Sequence, residues 1–222
     1  LYGGSFNYIN IVSGGLSCAD LLAPDYRYKG IVYEDAKVNE LKNVEVVSCA
    51  HDTLDESGCC TDCGYDLVAV VEMDGVSKNF ESLEEAIRYA EENDGSTVKL
   101  CKNIILDGTA AGSLFENGYI CFARGTYTLD LAGKTLTMND TELYGMAVMN
   151  GCNLTITDSV GGGKIKGATG GEALKARADG RLIVTGGDFT ELGVLVAYSR
   201  DSLTLYGGSF NYINIVSGGL SC

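Results

Sequence analysis

The chain has one proline, no tryptophan and one histidine in 222 residues. With 30 glycines beside that single proline, and Val, Ile, Leu and Thr in short runs, the composition favours many short strands joined by tight turns. Basic residues are scarce as well, since sixteen Lys and Arg stand against thirty Asp and Glu for a formal net charge of −14. A field of that sign repels phosphate backbones and anionic lipid, so neither nucleic acid nor a membrane surface is an expected partner. No apolar stretch approaches the roughly 20 residues that a spanning helix needs, and no membrane insertion is expected in this segment. Leu1 stands in a strand-like pattern with no charged region before it, so any secretion signal or anchor is expected outside this chain. A hydrophobic fraction of 45% with 21% charged residues, over this length, is that of a folded domain with a substantial core.

What the chain does contain is a duplication. LYGGSFNYINIVSGGLSC runs from Leu1 to Cys18 and returns, letter for letter, from Leu205 to Cys222, an offset of 204 residues. Convergence on a structural role would keep the apolar pattern but not every surface Asn, Ser and Tyr, so the identity marks a tandem repeat. The expectation is one full period plus an overlap, cut from a longer array. On that reading residues 1–18 are the last rung of a preceding unit, and Leu1, Phe6, Ile9 and Ile11, with Leu205, Phe210, Ile213 and Ile215, belong to the interface between repeats.

Nine cysteines accompany an acidic, Tyr-rich and Gly-rich composition, which suggests an extracellular setting where disulfides persist. Four chemistry-bearing residues fall in one short stretch. Cys49, His51, Cys60 and Cys63 form C-x-H-x8-C-x2-C-G, in which two ligands at a strand end and two on a C-x-x-C turn can converge on one tetrahedral ion. Gly64 permits the turn that aims backbone amides at the thiolate. Four protein ligands make a closed, structural zinc site with no position left for substrate. The alternative is that Cys49, Cys59, Cys60 and Cys63 form disulfides, and Cys59 could also replace Cys60 as a ligand. Cys18, Cys59, Cys101, Cys121 and Cys152 are expected mostly in disulfides rather than as nucleophiles, because no second histidine exists to activate them, and since five cannot all pair at least one stays free or pairs with another chain.

Along the chain, Asp20 to Ala23 reads as one helical turn ended by Pro24. The alternating IVYEDAKVNE and LKNVEVVSC predict a small hairpin, so residues 19–80 form a connector and a small β subdomain around the knuckle. A strand from about Tyr65 to Met73 ends in a turn at Asp74-Gly75. Ser82, with Glu85 three residues on, is a capping box, and Leu83, Ala86, Ile87 and Ala90 form an apolar stripe; a helix over 81–95 is expected to cap the strands after it. From Thr97 short strands recur between glycines. Leu154 and Ile156, Leu182 and Val184, and Leu203 and Leu205 align, with Leu129 and Leu131 as an earlier, degenerate copy. GMAVMNG, GEALKARADG, GVLVAYS and NYINIVSG supply a second strand per turn, and Ile165, Phe189 and Phe210 begin a third. Three short strands per turn define a parallel β-helix over residues 96–222.

The order of C-x-H…C-x-x-C-G knuckle, strand, SLEEA helix, TVKL strand and Gly-Gly-[S/D]-Phe rungs resembles the right-handed parallel β-helices of the pectin-lyase-like architecture found in repetitive bacterial cell-surface proteins. The extra cysteines at 59, 101, 121 and 152 depart from that pattern. The resemblance implies a mainly β solenoid, displayed on a bacterial surface as an adhesin-type repeat without chemistry of its own. The expected function is a structural unit of an extracellular filament or stalk whose partners are copies of itself. Two other functions are open. Exposed Tyr127, Tyr144, Tyr198, Tyr206 and Tyr212 could stack on glycan rings. The same fold hosts polysaccharide lyases and hydrolases, but Asp130, Asp158, Asp179, Asp188 and Asp201 share no rung position and read as solvated turn residues, while Lys175, Arg177 and Arg181 read as surface charge; no catalytic residue is assigned.

Overall fold

A computed structural model describes residues 1–12, 14–23, 25–51, 53–55, 59–106, 112–138, 144–169, 172–177, 179–199 and 202–216. They are mainly β, with one α-helix among them. The chain divides into two compact units, Leu1–Leu67 and Val68–Cys222.

The N-terminal unit is a three-stranded antiparallel sheet of β1 (Gly4–Asn10), β2 (Tyr26–Tyr28) and β3 (Glu40–Ser48), in the order β1-β3-β2. Alternation along β3 buries Val44 and Val46, and these join Ile9, Cys18, Ala19, Tyr28 and Ala36 in a small core. Tyr28 is fully buried and its hydroxyl donates to the Cys18 carbonyl at 2.8 Å, so its polar end is satisfied inside that core. Two expectations fail here. The first copy of the duplicated segment, expected to find its partner in a preceding unit, is paired within its own: β1 lies on β3, with Phe6 opposite Val44 and Ile9 opposite Leu41. An open strand edge leaves backbone groups and apolar side chains to water, and β3 offers both an amide ladder and an apolar strip. The hairpin is also absent. Its second half is β3, but in its first half Glu34–Ala36 is a 3-10 turn with Ala36 buried, and the Asn39 and Val38 carbonyls accept from Ile11 and Cys18 instead. The turn expected at Asp20–Ala23 is a 3-10 turn at Ala19–Leu21; Pro24 lies outside the described residues.

The larger unit opens with β4 (Ala69–Met73) and β5 (Val76–Phe80), an antiparallel hairpin. Its turn is Asp74-Gly75, both at positive φ (51° and 78°), as a two-residue turn matched to strand twist requires. Helix α1 (Leu83–Glu91) comes next, and Ser82 caps it by accepting from the Glu85 amide. Leu83, Ala86, Ile87 and Ala90 are buried in the core of this unit, the face set by the apolar stripe. Then come β6 (Thr97–Leu100), β7 (Ile104–Leu106), β8 (Phe115–Glu116), β9 (Tyr119–Phe122), β10 (Thr126–Asp130), β11 (Thr135–Met138) and β12 (Gly145–Val148). β13 (Asn153–Thr157), β14 (Lys164–Lys166), β15 (Leu174–Ala176), β16 (Arg181–Val184), β17 (Asp188–Ala197), β18 (Leu203–Leu205) and β19 (Ser209–Ile215) complete the unit.

These strands stack in parallel ladders. One runs β6-β10-β13-β16-β18, with β4 and β5 added antiparallel at the β6 edge. A second runs β7-β11-β14-β17 and a third β9-β12-β15-β17, with β19 alongside β17 in both. Leu154 pairs with Leu182, which in turn pairs with Leu203, and Ile156 with Val184, which in turn pairs with Leu205, as the alignment of those segments gives. The earlier copy is shifted by two residues. Tyr127, not Leu129, pairs with Leu154, and Leu129 pairs with Ile156. Leu131 is just as buried but sits past the end of β10, so burial alone could not tell the register. Inward-facing Val98, Leu129, Ile156, Leu182 and Val184 are all fully buried, each such side chain contributing on the order of 1.5–3 kcal/mol.

Candidate metal centre

Cys49 follows the last residue of β3, and its amide donates to the Asp25 carbonyl at 2.6 Å, beside the Tyr26–Ser48 pair of the β2–β3 ladder. Two residues later His51 takes a left-handed conformation, φ 55°, which few non-glycine residues adopt and which folds its ring back over the strand end. The other half is a tight loop in which the Gly64 amide donates to the Cys60 carbonyl at 2.7 Å and the Cys60 amide to the Tyr65 carbonyl at 2.8 Å. Gly64 sits at φ +73°, and a Cβ there would lie 2.5 Å from the Tyr33 ring. Only glycine fits both demands. Arg27 of β2 ties the loop down with a 2.6 Å ion pair to Asp62.

These two pieces bring one ligand atom from each of Cys49, His51, Cys60 and Cys63 within 4.8 Å of all the others. Cys49 Sγ lies 3.6 Å from Cys60 Sγ, and Cys63 Sγ 3.3 Å from His51 Nδ1. A tetrahedral ion with the usual zinc bond lengths implies edges of about 3.8 Å between sulfurs and about 3.5 Å between sulfur and nitrogen. These two separations fit such edges, and the others lie within 4.8 Å, whereas a disulfide would hold the sulfurs at about 2.05 Å. Cys59, the rival ligand, turns away from the cluster; its thiol donates to the Gly64 carbonyl at 3.3 Å. No disulfide joins any of the eight described cysteines.

The electrostatics are those of a thiolate site. Burial pushes the Cys60 thiol up, but hydrogen bonds from His51 and from the amides of Asp62 and Cys63 more than reverse it, leaving the group at about 7. Burial holds Cys49 and Cys63 above the ordinary thiol range. One thiolate character is thus stabilised by backbone donors, while full ionisation of three buried sulfurs needs a cation among them. His51 Nε2 meets Asp25 Oδ1 at 2.7 Å, and its ring lies 4.5 Å from that of Tyr65. With Nε2 held on a carboxylate, Nδ1 is the nitrogen turned toward the thiols, where it can donate to a thiolate or, with its proton gone, serve as a ligand with the usual outer support of a metal-bound imidazole. Sequence reasoning missed Asp25: it lies 26 residues before His51, and nothing in the ligand spacing points to it.

Most of the other residues singled out serve packing or turns. Ser82, Leu83, Glu85 and Ile87 are the cap and buried face of α1. Leu1, Phe6, Ile9 and Ile11 pack in the N-terminal unit; Leu205, Phe210, Ile213 and Ile215 lie on β18 and β19, with Phe210 stacked on Phe189 at 4.9 Å and 8°. Asp130 is not a solvated turn residue: it is buried and accepts from the Ala132 and Ser159 amides and the Ser159 hydroxyl. Asp158 likewise binds the Gly133 and Gly163 amides. Asp201 and Cys222 lie outside the described residues. Tyr127 is buried and can meet no ligand, whereas Tyr144, Tyr198, Tyr206 and Tyr212 are exposed. Lys175, Arg177, Asp179 and Tyr198 line a shallow cleft of about 340 Å³. Lys175 is engaged there, its ammonium 3.3 Å from the centre of the Tyr119 ring and 3.5 Å from Glu172.

No family model, curated protein or solved structure matches the chain. No helix among the described residues is long and apolar enough to cross a membrane.

Proposed function

We propose that the chain is a structural repeat unit of an extracellular filament, stalk or adhesin displayed on a bacterial surface, made of a right-handed parallel β-helix of the pectin-lyase-like kind and a small unit stapled by zinc. The observation that carries this reading is the 18-residue identity between Leu1–Cys18 and Leu205–Cys222, which gives an enzyme nothing and gives a fibre length or avidity. The recurring parallel ladders support the solenoid, since each turn leaves an edge that a further turn extends. Zinc suits the donor set of three sulfurs and one imidazole nitrogen, all from protein, and its role is to hold the N-terminal unit together. A unit of that size, with seven buried apolar side chains at its centre, is below the roughly 70–80 residues at which a core alone suffices. The engagement of Asp130 and Asp158 with backbone amides disfavours their use as a catalytic pair.

The test is to express two consecutive 204-residue periods and image them. Rods with an axial repeat, of which five stacked strands contribute about 24 Å, support the reading. Compact, unconnected particles at all concentrations overturn it. Elemental analysis of the intact chain should give one zinc per copy, lost in H51A and C60S.

A second reading has one observation in its favour: Tyr119, Tyr144 and Tyr198 gather around Glu172 and Lys175 at the edge of the cleft, the aromatic and polar mixture that holds sugar rings. A glycan array that gives the same signal for wild type and Y144A/Y198A removes it.

A further inference from the structure

The duplicated segment is paired in opposite senses at its two positions. As β1 it is antiparallel to β3, and as β19 it is parallel to β17. The two pairings use different edges of the strand. Ile11 donates its N–H to the Asn39 carbonyl, which places residue 11 on the β3 side. Its counterpart is Ile215, and the next residue, Val216, donates to the Ala197 carbonyl, which places residue 216 on the β17 side. Successive N–H groups of an extended strand point to opposite edges. Over Tyr212 to Val216, then, the backbone groups that β3 would use are not the ones β17 has taken. Both outer edges are open among the described residues: β1 is the terminal strand of its sheet, and β19 is bonded to β17 alone.

The side chains agree. Ile9 is 9% exposed against β3, while the identical Ile213 is 39% exposed and Ile215 44%. Tyr8 fixes the β1–β3 register by donating to Glu40 at 3.0 Å, accepting from Asn10 at 3.1 Å and lying under the Lys42 ammonium. Tyr212 and Asn214 carry the same groups into solvent.

We propose that residues 209–216 of one copy form a shared strand: they keep their parallel bonds to their own β17 and dock their free edge, antiparallel, on β3 of a second copy in the place of its β1. The register is that of β1, with Ile213 opposite Leu41, Tyr212 opposite Lys42 and Phe210 opposite Val44. In a continuous array the two segments are one, and a single strand closes one unit's ladder while opening the next unit's sheet. This deepens the repeat-unit reading by naming its joint, a head-to-tail contact that extends into a filament wherever its rotation does not close a ring.

The experiment is oxidative trapping in the full chain. Tyr212 and Lys42 become a directly opposed, non-hydrogen-bonded pair with Cα atoms about 4.5 Å apart, close enough for a disulfide. Y212C/K42C should give a ladder of reducible oligomers, and peptide mapping should join positions 42 and 212 between copies. I9K, which weakens the competing β1, should increase the ladder at least severalfold; I213K should abolish it, with zinc content and far-ultraviolet circular dichroism unchanged. No 42–212 link at any concentration in the I9K background overturns the shared strand, even where the two-period protein still forms rods and the repeat-unit reading stands. A 42–212 link confined to closed dimers, with no rods from the two-period protein, keeps the shared strand and sinks the filament.

Discussion

His51 Nε2 and Asp25 Oδ1 are 2.7 Å apart, and that contact decides which imidazole nitrogen faces the three thiols. Replacing Asp25 with Asn keeps the shape and removes the charge that favours donation from Nε2. The expected result for D25N is zinc bound about 10–100-fold more weakly, with the ligands untouched. Competition with a chromogenic chelator at pH 7 measures it, and an affinity equal to wild type removes Asp25 from the site.

Gly64 is where the C-x-x-C loop meets Tyr33. G64A places a Cβ 2.5 Å from that ring in a left-handed conformation, so the loop or the ring must move. An expected cost of about 1–3 kcal/mol to the N-terminal unit follows from the strained backbone alone. If the clash with Tyr33 dominates, G64A/Y33A should recover zinc affinity relative to G64A; failure of that recovery shows that the strained φ angle costs more than the clash.

Asp188 is held below the usual carboxylate range, first by the Thr190 hydroxyl and amide and then by Lys164. A folded value below the unfolded value means that the folded chain binds fewer protons. Its stabilisation is therefore complete above the unfolded value of about 3.9 and is lost as pH falls through the lower folded value. Urea melts of wild type and D188N should differ at pH 7 and at pH 5 by the same amount, and the difference should shrink below about pH 4. A difference that grows on acidification would reverse the assignment.

Cys152 is fully buried, and burial pushes its thiol up to about 12; Cys18, Cys101 and Cys121 are raised for the same reason. Alkylation by iodoacetamide at pH 7.5 should be slow at Cys152 in the native chain and fast in 8 M urea. Equal rates under the two conditions would place the thiol at the surface.

The gathering of Cys49, His51, Cys60 and Cys63 was legible in the sequence because two donors at a strand end and two on a C-x-x-C turn leave few other arrangements. The helix was legible from Ser82 and Glu85, since a capping box states both the start and the direction of a helix. From Leu154 onward the ladder register could be read because a Gly-Gly run follows each pair of apolar residues, close behind Val184 and Leu205 and after a longer turn behind Ile156. It was lost at Leu129, where no Gly-Gly pair follows and Leu131 is as well buried as the residues that do align. The pairing of β1 was beyond sequence reasoning for a different reason. Identical residues cannot announce two different partners; β3 decides, and its offer depends on Val44 and Val46 facing the same side as Ile9. Asp25, Asp130 and Asp158 act through contacts distant in sequence, which no local pattern encodes.

On the proposed shared-strand joint, the open outer side of β19, with Ile213, Ile215 and Val216 between 39% and 48% exposed, would set how end-to-end association scales with copy number. Lengthening the array adds mass but not ends. On that proposal a protein of one period would have the same single open β19 edge as a protein of ten, so its tendency to associate per gram would be about tenfold greater, and the copy at the tip is the one place where a departure from the repeated sequence would be favoured.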